Sequence, residues 1–190
     1  MIRLTNVTAG YPDKIVLRNF SLSLPEQGAV AVMAPSGFGK TTLLRVLAGL
    51  LQPQSGSISG LENKKIAFLF QEDRLLPWQN AEKNVEIVSD REKARFWLRE
   101  MEIDDPSQYP HEMSGGMQRR VALARAMAFS GDVLLLDEPF KGLDEALRGR
   151  IAARIKDHFP LTILSVHDQG EAALVGAEIL RLDQIAERNP

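Results

Sequence analysis

Ala34-Pro35-Ser36-Gly37-Phe38-Gly39-Lys40-Thr41-Thr42 is the stretch that decides the fold. It follows the apolar run Ala29 to Met33 (AVAVM) and leads into a helical pattern over Thr41 to Leu51. Apart from Ala34 in place of the first glycine, it matches the phosphate-binding loop G-x-x-x-x-G-K-[ST]. Glycines let backbone N–H groups turn inward as an anion nest, and the helix start adds its positive dipole end. Lys40 is placed to reach β- and γ-phosphates, and the Thr41 hydroxyl to ligate Mg²⁺. Ser36, Gly37, Gly39, Lys40, Thr41 and Thr42 are thus the candidate nucleotide contacts of the loop. If Ala34 must adopt positive φ, its methyl group costs about 1 kcal/mol.

Outward from this loop the pattern repeats. Ile66 to Phe70 (IAFLF), Val133 to Leu136 (VLLL) and Leu161 to Val166 (LTILSV) are short runs that suit strands buried on both faces. Helical patterns lie between them. On one, Met117, Val121, Ala124 and Ala128 form the apolar face, with Arg119, Arg120 and Arg125 read as polar. The expected fold class is α/β, with a mainly parallel sheet. Ile2 to Leu24 and the turn-rich Gln52 to Gly60 read as an antiparallel β layer beside it. Residues 72 to 113 carry no buried strand and read as a helical insertion. Within it, Ser89-Asp90-Arg91-Glu92 reads as a capping box before the stripe Ala94, Trp97, Leu98 and Met101, and Asp105-Pro106 ends the pattern.

Four candidate chemical positions directly follow apolar runs: the phosphate loop, Gln71, Asp137-Glu138 and His167. Ligands of open α/β sheets bind at the carboxyl ends of the strands, so the four are expected on one edge. Asp137 suits Mg²⁺ held through water, and Glu138 suits orienting and deprotonating a water. Ser114-Gly115-Gly116-Met117-Gln118 opens a helix, where two glycines fit close approach to an anion, with Ser114 both cap and ligand. Seen alone, that segment is a plain N-cap.

Composition narrows the rest. The 190 residues carry a net charge of −2 and no cysteine. That charge argues against nucleic acid as partner, and the missing cysteines exclude disulfides and thiolate metal sites. Met1 to Thr5 lacks the apolar core of a signal peptide, and no run is long enough to span a bilayer.

Taken in order, the phosphate loop, Gln71, MSGGMQRR (Met113 to Arg120), LLLDEP (Leu134 to Pro139), Gly142-Leu143-Asp144 and SVHD (Ser165 to Asp168) resemble the ATP-binding cassette (ABC) family. The likeness runs from about Ile2 to Leu182. The signature between the phosphate loop and the acidic pair is its specific element. The resemblance implies one ABC ATPase domain over residues 1 to 190, with ATP and Mg²⁺ as cofactors. Tyr11 would stack on adenine. Lys40, Gln71, Glu138 and His167 would be the catalytic set, and Thr41, Gln71 and Asp137 the metal set. Ser114 and Gly116 would act in trans, completing the ATP site of a second subunit in a head-to-tail homodimer, and Asp144 lies in the loop that crosses to it. His111 and His158 are read as structural.

The resemblance also implies a cytoplasmic subunit, peripheral on the inner face of the cell membrane. Its partners would be a separate membrane permease and, indirectly, an extracytoplasmic solute-binding protein. Gln71 to Trp78 and MSGGMQRRVALARA most resemble importers of nitrate, sulfonates and taurine, with Leu75, Leu76 and Trp78 as the face toward the permease. A soluble mechanical ATPase of the same superfamily is the alternative, and a non-hydrolysing subunit is disfavoured by Glu138 and His167. The segment from Lys40 to Gln71 and the helical insertion are short for the family, and the chain is expected to lack a C-terminal regulatory domain.

Overall fold

The computed structural model describes residues 1–156 and 158–188. Two sheets form. Strands β1 (Ile2–Tyr11), β2 (Lys14–Leu24) and β4 (Ser55–Ser59) make an antiparallel layer in the order β2-β1-β4. Strands β3 (Gly28–Met33), β5 (Ile66–Leu69), β6 (Val133–Asp137), β7 (Leu161–Ser165) and β8 (Glu178–Arg181) make a parallel sheet in the order β5-β6-β7-β3-β8. The expected α/β class and the antiparallel β layer are both present. Strand β8 is not foreseen in the sequence: it is a four-residue edge strand, mostly exposed, and so lacks the continuous apolar run of its neighbours.

The parallel strands divide their side chains between two cores, as the period of two requires. Ala31, Leu134, Leu136 and Leu164 face one core together with most of the helices. Val30, Val32, Leu135 and Ile163 face the other, against α1 (Lys40–Leu47) and the antiparallel layer. The phosphate-loop helix is therefore the element sandwiched between the two sheets.

Helix α1 stops at Leu47 rather than Leu51. Gly49 takes φ 70°, its N–H bonds to Val46 O, and Leu50 N–H bonds to Arg45 O at 2.9 Å. This pair of bonds is the glycine-terminated helix ending, which outweighs the apolar Leu50 and Leu51.

The insertion holds α2 (Ala81–Glu86), α3 (Arg91–Glu100) and a 3₁₀ turn (Pro110–Glu112), and α4 (Gly115–Ala128) packs against α2 and α3. Asp90, not Ser89, caps α3: its carboxylate accepts from Lys93 N, while Ser89 Oγ donates to Val85 O. An ionised oxygen is the better acceptor at a helix start, so the cap moves one residue on. The stripe Ala94, Trp97, Leu98 and Met101 is buried as expected. Glu82 ties α2 to α3 through Arg91 and Arg95, each at 2.6 Å, and these partners hold its carboxyl below the usual range.

The remaining helices are α5 (Glu145–Ile155), α6 (Gln169–Leu174) and α7 (Leu182–Arg188). Among the described residues no helix is long and apolar enough to cross a membrane.

Candidate functional site

Strands β5, β6, β7 and β3 are neighbours in the parallel sheet, so the residues that follow them emerge side by side on one edge. The four expected positions do converge there. The phosphate loop leaves β3 and closes on α1. Gly39 caps the helix at φ 107°, and a Cβ there would stand 2.8 Å from Val16 Cγ1. Both backbone angle and space therefore demand glycine. Gly37 also has positive φ (77°), with open space around it. Ala34 is not among the positive-φ residues, so its methyl group carries no left-handed strain. The Lys40 ammonium arches back over the loop to the Ala34 carbonyl at 2.7 Å and is almost fully buried, which leaves further N–H bonds for an anion. Ser36 is exposed, Thr41 half-buried and Thr42 buried.

The acidic pair is held tightly. Asp137 ends β6 in register with Ser165 of β7, and Oδ1 accepts from Ser165 Oγ at 2.7 Å. Asp137 Oδ2 is buried with no hydrogen-bond partner. A buried carboxylate oxygen without a partner is costly, and a bound cation would satisfy it. That oxygen and the nearby loop hydroxyls are hard oxygen donors, which suit Mg²⁺.

Glu138 takes φ 51°, a left-handed conformation that non-glycine residues rarely occupy. Its backbone N–H donates to Ser165 Oγ at 2.9 Å. The turn aims the carboxylate between two expected partners: Oε1 lies 3.2 Å from His167 Nε2, and Oε2 accepts from Gln71 Nε2 at 3.4 Å. Lys141 Nζ stands 3.8 Å from Oε2. Strain of this kind clusters where geometry serves chemistry.

Tyr11 ends β1 with its ring partly exposed, and its hydroxyl accepts from Arg45 of α1 at 2.8 Å. Ser114 caps α4 through a bond to its Oγ from Met117 N at 3.2 Å. A Cβ on Gly116 would lie 3.4 Å from Gly142 O, so the signature helix starts beside the Gly142-Leu143-Asp144 loop. The Asp144 side chain caps α5.

The ABC transporter family model matches residues 17–141, which covers the phosphate loop, the signature and the acidic pair. The chain belongs to this family. This ABC chain is therefore an ATP-binding protein and an ATPase. It is 40% identical to an aliphatic sulfonates import ATP-binding protein of Rhodococcus jostii, over 94% of this chain and 78% of that protein. It is 36% identical to an Fe(3+) ions import ATP-binding protein of Pasteurella multocida, over 93% of this chain and 57% of that protein. A solved ATP-binding cassette, described as a dimeric post-hydrolysis state bound to ADP and Pi, superposes with TM-score 0.82 at 27% identity. It covers 95% of this chain, which covers 94% of it.

Two residues of the ABC site escaped the sequence reading. Arg119 belongs to the polar face of α4 by periodicity, yet it is only 3% exposed. Its Nη1 donates to Phe70 O at 2.6 Å and to Asp73 Oδ1 at 3.0 Å, and its Nη2 to the carbonyls of Asp137 and Glu138. One guanidinium thus joins the signature helix to the Gln71 loop and the acidic pair. Helix α4 is enclosed on nearly all sides, so helical period does not separate its faces. The second residue is Ser165, within the quoted SVHD; its bonds span 28 residues to Asp137 and 27 to Glu138, and no local pattern announces them.

His158 is structural as expected. Its Nε2 sits 3.2 Å from Met127 O, between Trp97 and Phe159, and burial holds its pKa below the ordinary imidazole value.

Proposed function

We propose that the chain is the ATP-hydrolysing subunit of an ABC importer, working with a separate membrane permease on the inner face of the cell membrane. The observation that carries the catalytic part is the Glu138 carboxylate, held between His167 Nε2 and Gln71 Nε2 beside the phosphate loop. The whole chain, residues 1 to 190, acts as one ABC ATPase domain with its insertion at about 72 to 113.

In this reading Tyr11 stacks on adenine, its ring steadied by Arg45. The loop N–H groups from Ser36 to Thr42 and the Lys40 ammonium bind the β- and γ-phosphates. Thr41, Gln71 and Asp137 would hold Mg²⁺, with Asp137 acting through water. Bound there, the cation would neutralise charge on the phosphate oxygens. Glu138 orients the attacking water and takes its proton. His167 contacts the γ-phosphate and fixes the Glu138 carboxylate. Ser114 and Gly116 complete the site of a second copy. In one chain the Ser114 hydroxyl is engaged with its own helix start, and a head-to-tail partner brings a second helix N-terminus to the phosphates.

The permease faces the loop after Gln71. A groove of about 460 Å³, lined among others by Phe68, Phe70, Leu76, Ile87 and Phe129, opens beside that loop. Trp78 stands out at 68% exposure. Asn84 is fully buried and bonds to Leu76 N and O, Gln79 O and Asn80 O, so this apolar loop is presented in a fixed shape. Leu75 instead packs on the core. The relatives named for sulfonate import support a small sulfonate or similar anion as solute, delivered by an extracytoplasmic binding protein.

Two experiments test the reading. Deleting the gene should abolish growth on an aliphatic sulfonate as sole sulfur source while growth on sulfate continues; unaffected growth overturns the solute class. For assembly, Lys40→Ala and Ser114→Arg are mixed in the Glu138→Gln background. The heterodimer keeps one intact composite site, so ATP should dimerise the mixture better than either variant alone. If the mixture gains nothing and Ser114→Arg abolishes ATP binding by the monomer, the trans site fails.

A further inference from the structure

We propose that the Ser165 hydroxyl is a positioning group that sets the metal-facing oxygen of Asp137 and the backbone of Glu138 at once. The proposal deepens the Mg²⁺ and general-base roles given above and rests on them.

The hydrogen-bond polarity follows from simple inventory. A hydroxyl has one proton and two lone pairs, an ionised carboxylate only accepts, and an amide N–H only donates. Ser165 Oγ lies 2.7 Å from Asp137 Oδ1 and 2.9 Å from Glu138 N. Its proton therefore goes to Asp137, and a lone pair takes the Glu138 N–H. The side chain is fully buried, so water cannot substitute for either bond. Sheet register creates the contact. Ser165 pairs with Asp137 on one side and with Val32, just before the phosphate loop, on the other. Residues in register on adjacent parallel strands point to the same face, so Ser165 and Asp137 side chains meet.

Two consequences meet at one atom. Engaging Oδ1 stops rotation of the Asp137 carboxylate and leaves Oδ2 as the buried, partnerless oxygen. Holding the Glu138 N–H supports a left-handed residue that would otherwise relax. That residue carries the carboxylate aimed at His167 and Gln71. A fixed Oδ2 and a fixed Glu138 are what charge neutralisation and proton transfer need in register.

The test compares Ser165→Ala, Ser165→Val and Ser165→Thr in the full chain. ATP affinity is measured by calorimetry with Mg²⁺ and with excess chelator, and turnover is measured beside it. Threonine keeps the hydroxyl, whereas valine has the same shape without it. Expected is a loss of about tenfold or more in the Mg²⁺-dependent enhancement of ATP affinity for Ala and Val. Their chelator-state affinity should be unchanged and kcat lowered, with Thr retaining both properties. Wild-type enhancement and kcat in Ala and Val would overturn the proposal, as would an equal loss with and without Mg²⁺, which marks general damage. If neither hydroxyl-free variant folds, the Glu138 amide of the wild-type chain decides: slow hydrogen exchange supports its capture by Ser165, and free exchange overturns it. A wild-type chain whose ATP affinity ignores Mg²⁺ would instead remove the metal assignment, and this proposal with it.

Discussion

Replacing Arg119 by methionine removes the clamp between the signature helix and the catalytic edge while keeping most of the side-chain stem. Five acceptors lose this donor: the carbonyls of Phe70, Gln71, Asp137 and Glu138, and the Asp73 carboxylate. Asp73 is 23% exposed and can rehydrate, so its share is discounted. Hydrogen bonds from a charged donor contribute about 1.5–3 kcal/mol each, but those that share one guanidinium do not add. A loss of about 3–5 kcal/mol is expected, the range for removing one partner of a buried charged network. Against a total stability of about 5–15 kcal/mol the variant should still fold. For a chain of this size that loss lowers Tm by about 6–20 °C. Thermal melting with and without MgATP reads the effect, and Arg119→Lys separates charge from shape. Lysine cannot fork across two loops, so it should fall between methionine and wild type. A methionine variant that melts within about 2 °C of wild type and binds MgATP normally would show that the clamp holds nothing.

Glu138→Gln should bind MgATP but turn it over about 10²- to 10⁴-fold more slowly, because the water loses its base while the phosphate contacts remain; wild-type steady-state turnover would remove Glu138 from the mechanism. Ala34→Gly should leave ATP affinity unchanged and cost about 0.5–1 kcal/mol, since Ala34 has no left-handed strain to relieve and glycine frees the unfolded chain; a tighter nucleotide complex in titration would contradict this. Burial lowers the His158 pKa in the folded state, so the unfolded chain takes up its proton first as pH falls. The stability it contributes is complete above the unfolded value of about 6.5 and is lost as pH drops through the folded value. In urea unfolding, His158→Phe should flatten the fall in stability between about pH 7.5 and about pH 5.5; equal slopes would show that His158 does not titrate this way.

Much of this protein was legible one residue at a time. Strands β3, β5, β6 and β7 are apolar on both faces because the parallel sheet is covered on both sides, and an unbroken apolar run needs no partner to be recognised. The phosphate loop, the acidic pair and the signature are local motifs whose spacing is fixed by backbone turns, so they survive in one dimension. The convergence of the phosphate loop, Gln71, the acidic pair and His167 on one edge also followed, since each ends or directly follows a strand and parallel strands end together.

Other features depended on what stands opposite. Helix α1 ended at a glycine that closes the helix, and the α3 cap moved to the stronger acceptor. Strand β8 forms because β3 offers a free edge, not because its own residues are apolar. Arg119 looked like a solvent-facing charge, and its burial was decided by carbonyls and one carboxylate that come from segments 46 to 49 and 18 to 19 residues away. Ser165 was one polar residue in an apolar run until sheet register set it against Asp137. The sequence by itself determines which groups the chain carries and where its local turns lie. Which lone pair faces which proton across a sheet is set only by register and packing, because those bonds join residues with no periodic relation along the chain.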